Sequence, residues 1–139
     1  MEQLNTYLNF NGNTEEVFNF YKSVFGGEFV ALMRFKDTPG CENMPEADQQ
    51  MIMHIALQLG KSVLMGTDVP ESMEQVRTGT NMSICINAES REEADKIFSG
   101  LAQGGKIQMP LQDMFWGDYY GMLTDQYEIQ WMISHNPNR

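Results

Sequence analysis

The chain has 139 residues, 42% hydrophobic and 20% charged, which suits one ordinary soluble domain with a real core. Nine basic against nineteen acidic residues leave a net charge of −10, which repels phosphate backbones and anionic membrane surfaces and argues against nucleic-acid and membrane partners. No apolar run approaches the ~18 residues of a membrane span, and the opening MEQLNTYLNF lacks the basic start and apolar block of a secretory signal.

LNTYLNFN (Leu4 to Asn11) alternates polar with apolar residues, the period of a half-buried strand. Asn13 to Phe25 is the first predicted helix. Asn13 stands at the cap, Glu16 at the capping-box position, and Val17, Tyr21, Val24 and Phe25 fall on one face. Gly26-Gly27 ends it. Three strand-like runs follow: EFVALMRFK, QMIMHIALQLG and SVLMGTD. Between the first two, DTPGCENMPEADQ (Asp37 to Gln49) is polar, carries two prolines and reads as a long mobile loop.

The second half repeats the first. TNMSICIN (Thr80 to Asn87) is the strand. The helix is Ser90 to Ala102, with Ser90 as cap, Glu93 completing the box and Ala94, Ile97, Phe98 and Leu101 on one face. Gly104-Gly105 ends it, and KIQMPLQDMF, YYGMLTD and YEIQWMIS are the following strands. NTEEVFNFYKSVFGG and SREEADKIFSGLAQGG thus share cap, box, stripe and stop at a spacing of 77, while the opening strands match at 76. The expected class is α+β: a single domain, 1–139, of two βαβββ units (about 1–67 and 80–135) with DVPESMEQVRTG, Asp68 to Gly79, as connector.

Alternation also separates the faces of each sheet. Leu8 and Phe10 should pack under the first helix and leave Asn5, Tyr7 and Asn9 opposite. Met82, Ile84 and Ile86 should face the second helix, with Asn81, Ser83 and Cys85 opposite. In the last strand Ile129, Trp131 and Ile133 take the helix side, leaving Glu128, Gln130 and Met132. In QMIMHIALQLG the apolar series is Met53, Ile55, Leu57 and Leu59, which puts His54 on the helix-free side with Ala56 and Gln58. Two four-stranded antiparallel sheets with these faces inward would curl into a cup, helices outside. Its expected lining is Asn5, Tyr7, Asn9, His54, Asn81, Ser83, Tyr120, Gln130 and Met132, with Phe115 and Trp116 at the mouth.

These residues and stretches carry a family resemblance. YLNFNGNTEEVFNFYKSVFGGE (Tyr7 to Glu28), HIALQLGKSVLMGTD and GKIQMPLQDMFWGDYYGMLTDQYEIQWMI (Gly105 to Ile133) resemble the PhnB-like branch of the vicinal-oxygen-chelate superfamily, which includes glyoxalase I and bleomycin-resistance proteins. The resemblance implies paired βαβββ units, a cup-shaped site and a homodimer. One departure is Glu128, where the branch commonly has Gly in a D-x-F-G turn, so Asp125 to Glu128 must turn without the residue that tolerates positive φ.

Metal-using members of the superfamily hold a divalent ion with four cup-facing residues, typically His, Glu or Gln. The corresponding slots fall at Asn5, Leu64, Asn81 and Gln130. Three neutral amides and a leucine cannot repay the dehydration of such an ion, so no metal and no other cofactor is expected. His54 is a candidate general acid/base, with a structural histidine as the plainer reading; His135, in the tail SHNPNR, should be solvated. Cys41 and Cys85 form no metal-binding spacing, and Cys85 has no basic neighbour to activate it, so it reads as buried and inert. Two cysteines suit a reduced cytoplasm.

Members of the branch often carry a demethylubiquinone-methyltransferase label. The chain has no GxGxxG, GxxxxGK[ST] or GxSxG motif and no alternating parallel βα pattern to hold S-adenosylmethionine or a nucleotide. The expected function is metal-independent binding of a small molecule. The alternatives are a metal-dependent lyase, isomerase or dioxygenase using His54 with Asp118 or Glu128, and a homodimeric scaffold with a filled cup.

Overall fold

Every run that alternates in the sequence contains a strand in the computed structural model, which describes residues 1–138, although the run Thr80 to Asn87 is a strand only from Ile84 on. The order is β1 (Thr6–Phe10), α1 (Thr14–Phe25), β2 (Glu28–Arg34), α2 (Glu46–Gln49), β3 (Ile52–Leu59), β4 (Ser62–Asp68), β5 (Ile84–Asn87), α3 (Arg91–Ala102), β6 (Lys106–Asp113), β7 (Tyr119–Thr124) and β8 (Gln130–His135). Two units result, Met1–Arg77 and Thr78–Arg139, each a βαβββ repeat with its own four-stranded sheet.

In the first unit the sheet order is β1-β4-β3-β2. β1 lies parallel to β4, and the remaining pairs are antiparallel, so the sheet is mixed where a wholly antiparallel one was expected. Chain direction explains this. The helix returns the chain so that β2 runs with β1, two antiparallel steps make β4 run the same way, and β4 then lies beside β1.

The stripe of α1 buries Val17, Phe18 and Tyr21 completely and most of Val24, each large apolar side chain contributing about 1.5–3 kcal/mol. Phe18 settles on Gly66 of β4, where any Cβ would stand 2.6 Å from the ring. Asn13 makes no side-chain cap. The carboxylate of Asp68 takes that role from the far end of β4: Oδ1 accepts the Thr14 N–H at 2.9 Å and Oδ2 the Ile52 N–H at 2.8 Å.

Two further differences have physical causes. Register slips by one between Met33–His54 and Arg34–Ile52, so Met53 is bulged out and Ile52, 1% exposed, takes the core position expected of Met53. The segment Asp37 to Gln49 is not featureless: a 3-10 turn spans Phe35–Asp37, and Pro45 precedes the short α2. The connector is pinned to its own unit, since Asn11 both donates to the Val76 carbonyl and accepts from the Val76 N–H, each at 3.0 Å.

The second unit has order β5-β8-β7-β6 with β5 parallel to β8, for the same reason. Ser90 caps α3 as expected, its hydroxyl accepting the Glu93 N–H at 3.0 Å. The Glu93 carboxylate closes on the N–H of Glu89, one residue before the usual box partner. Ala94, Ile97, Phe98 and Leu101 are all buried, and Phe98 lies against Gly121 of β7.

Met82 does not face the helix. It precedes the short β5 and is 80% exposed. His135 is not in a solvated tail but closes β8, where its Nδ1–H donates to the Ala88 carbonyl at 2.9 Å. No helix among the described residues is long and apolar enough to cross a membrane.

Candidate functional site

On the first sheet, Tyr7 stands on β1 in register with Met65 of β4, which pairs with Ala56 of β3. His54 precedes Ala56 by two residues and lies on the same face. The Tyr7 hydroxyl and His54 Nδ1 share a hydrogen bond of 2.9 Å across β4, their rings 5.7 Å apart. Burial pushes the Tyr7 phenol above its ordinary pKa. His54 is thus on the helix-free face, as its place in the alternation implied, and it is tied to a neighbour. Asn9 is exposed on the same side of β1, one register step from Tyr7, whereas Asn5 precedes the strand.

The slot assigned to Leu64 is corrected. Leu64 pairs with Leu57, is 5% exposed and shares the helix-facing side with Gly66. The residue on the other face is Met65. The cup-facing position lies one residue further on, and in a strand one position is one face.

On the second sheet, Gln130 opens β8 and donates its side-chain amide to the Met82 carbonyl, which holds the segment ahead of β5. Asn81 and Ser83 lie in that exposed segment rather than on a strand. Tyr120 on β7 stands 6.4 Å from Trp116, which meets Phe115 at a right angle 5.0 Å away. Burial, with Cys85 as a lesser cause, pushes the Tyr120 phenol up. Phe115 is 97% exposed at the β6–β7 turn. Trp116 donates its indole N–H to Asp118, which also accepts from Asn136. Met132 sits mid-strand, partly exposed. Cys85 is exposed, not buried as its sequence setting suggested.

The acids put forward as metal partners of His54 are occupied otherwise. Asp118 orients Trp116, and Glu128 accepts a hydrogen bond from the Thr78 hydroxyl at 2.8 Å. Among the described residues no three His, Cys, Asp or Glu side chains converge on a point where a metal could sit. Of the slots that the resemblance implies, the first unit offers the Asn5 amide and, beside Leu64, the Met65 thioether, and the second the amides of Asn81 and Gln130; neither pair fits a divalent ion.

The methyl donor that a methyltransferase would need is served no better. Neither sheet is a parallel sheet with alternating helices. At the start of α1, the first N–H is taken by Asp68 and the first turn carries Glu15 and Glu16. An open depression of about 540 Å³ lies there, lined by those two acids with Gly12, Asn13 and Asn19; it is remote from Tyr7 and His54 in chemistry, with no aromatic or basic group.

Sequence reasoning missed three arrangements. Arg91 covers the Tyr119 ring at 3.9 Å and pairs with Asp113 at 2.6 Å, while the Tyr119 hydroxyl donates to Asp95, so this cluster ties α3 to β6 and β7. Asp125 accepts N–H groups of Tyr127, Ile129 and the Trp131 indole, fixing the β7–β8 turn. The third is a row of sulfur side chains across the second sheet, which only strand register reveals.

Comparison with known proteins agrees with this geometry. A protein of Pseudomonas aeruginosa, PA1353, has a crystal structure that superposes with a TM-score of 0.85 at 35% identity, covering 98% of both chains. The PhnB protein of Bacillus cereus gives 0.78 at 29% identity over 96% of this chain and 99% of that one. A glyoxalase/bleomycin resistance protein/dioxygenase family enzyme of Burkholderia phytofirmans gives 0.65 at 18% identity over 94% and 96%, which shows a shared fold. The profile of the family described as 3-demethylubiquinone-9 3-methyltransferase matches residues 2–134. The chain therefore belongs to that family, the PhnB-like group, built on the fold of the glyoxalase/bleomycin-resistance superfamily.

Proposed function

We propose that this protein binds a small organic molecule on the helix-free face of its first sheet and does so without a divalent metal ion. The observation that carries the reading is the Tyr7–His54 hydrogen bond. A phenol and an imidazole are held in fixed relation on a wall that also presents Met65 and Ala56. A few oriented polar groups on an otherwise apolar wall are the usual makeup of a small-molecule site. The pair offers one donor and one acceptor for a carbonyl or hydroxyl group, and the Met65 thioether offers contact to an apolar body. Methyl transfer fits this geometry less well, because the start of α1 is acidic and both sheets are mixed rather than parallel with alternating helices.

Two measurements test the reading. Protein purified in metal-free buffer should hold far less than one zinc, manganese, iron, cobalt or nickel ion per chain by mass spectrometry; one tightly retained ion of these metals would overturn independence of a divalent metal. A panel of planar carbonyl and phenolic compounds, screened by thermal shift, should contain members that stabilise the wild type but not Tyr7→Phe or His54→Ala. Equal stabilisation of all three proteins would remove the pair from the site.

A further inference from the structure

We propose that the second sheet binds one soft monovalent metal ion, Cu(I) or its analogue Ag(I), on a row of sulfur side chains centred on Cys85 and Met132. Strand register carries the proposal. Cys85 of β5 pairs with Met132 of β8, Met132 with Met122 of β7, and Met122 with Met109 of β6. Directly paired residues project from the same face. Gly121, which meets Phe98 of α3, and the buried Leu123 and Trp131 alternate with Met122 and Met132. The row therefore lies on the helix-free face. Four sulfurs on four adjacent strands share one level of the sheet, with Cys85 exposed and the three methionines partly so.

Thiolate and thioether are the donors that select Cu(I) over harder ions, so this site differs in chemistry and position from the divalent slots rejected above. The spacing also fits. Neighbouring strands stand about 4.7–4.9 Å apart, so directly paired side chains on β5 and β8 lie within reach of one ion. Cys85 and Met132, directly paired on adjacent strands, are the two primary donors to the ion. Met122, flexible and on the other side of Met132, is the third donor. Binding is a simple exchange: the Cys85 S–H bond breaks, a sulfur–metal bond forms, and the proton goes to solvent with no change of oxidation state. The chain's charge of −10 favours a cation.

A plain apolar wall would accept leucine in place of methionine, and this separates packing from ligation. The test is anaerobic titration of the reduced protein with Cu(I) against the chromogenic chelator bathocuproine disulfonate. One Cu(I) per chain is expected. Cys85→Ser should weaken binding about 100-fold and Met132→Leu about tenfold, while Cys41→Ser changes nothing. Cys85 is exposed, so Cys85→Ala provides a second folded variant with the same expected loss. The proposal is overturned if the wild type fails to compete, if Cys85→Ser or Met132→Leu binds as the wild type does, or if Cys41→Ser abolishes binding. It does not rest on the small-molecule reading, which divalent-ion content and the Tyr7 and His54 variants test separately.

Discussion

Glu128 is the only non-glycine with positive φ among the described residues, at 70°. It ends the turn that Asp125 organises, with Asp125 N–H donating to Ile129 O at 2.8 Å and Glu128 N–H to Asp125 O at 3.0 Å. An L-residue in this region costs about 1–2 kcal/mol, and glycine escapes that cost while losing about 0.4–1 kcal/mol through its freer unfolded chain. Comparing Glu128→Gly with Glu128→Ala isolates this balance. Both variants lose the hydrogen bond from Thr78, and both leave the bonds of Asp125 intact. At an ordinary exposed position Ala would be the more stable of the two. Here the Gly variant should be more stable by about 0.5–1 kcal/mol. With a urea m-value of about 2 kcal/mol/M, that is a midpoint difference of about 0.4 M. If the Ala variant unfolds at the same or a higher urea concentration, the claim that Glu128 sits under backbone strain is wrong.

Thr14 is fully buried with no hydrogen-bond partner for its hydroxyl; Thr14→Val should raise stability by about 1 kcal/mol, read as a higher unfolding midpoint. Asp68→Asn keeps the shape but turns an amide N–H towards one of the two backbone donors that Asp68 accepts, so it should cost about 2 kcal/mol in urea unfolding. The Glu15 carboxylate is held below its ordinary pKa of 4.5, chiefly by the Arg34 guanidinium at 2.7 Å. A lowered folded pKa stabilises above the unfolded value, and that contribution is lost as pH falls through the folded one. The wild type should therefore exceed Glu15→Gln by about 0.5 kcal/mol or less at neutral pH, the pair being partly exposed, and the gap should close below pH 4.5.

The sequence made legible whatever depends on period and local chemistry. Eight strands, both long helices, the buried face of α3 and the strained place of Glu128 follow from alternation, helical stripes and the missing turn glycine. What stayed hidden depends on partners distant in sequence. Asp68 caps a helix that starts 54 residues earlier, a link no local capping rule predicts. The bulge at Met53 is a property of the β2–β3 pairing, and it moved Ile52 into the core. Leu64 and Met65 could be told apart only by which of them meets the helix, because the run SVLMG is apolar on both faces. The sulfur row needed three separate registers before Cys85, Met132, Met122 and Met109 came to one level.

Where the acids went bears most directly on function. The chain has nineteen, and two deeply buried ones, Asp68 and Asp125, have carboxylates committed to backbone and indole N–H groups at the ends of strands. A carboxylate so bonded is an architectural part, since withdrawing it towards a ligand would strip two or three buried donors of their acceptor. The helix-free faces hold a phenol, an imidazole, amides, thioethers and a thiol, with Gln130 at one of the slots the sequence resemblance implied for a metal. Its amide donates to a backbone carbonyl, an arrangement a carboxylate could not make. Gln130→Glu would thus set an anion against the Met82 carbonyl and should loosen the segment ahead of β5, seen as faster amide exchange at Met82 and Ser83. Unchanged exchange in that variant would mean that the amide is free to turn towards a ligand after all.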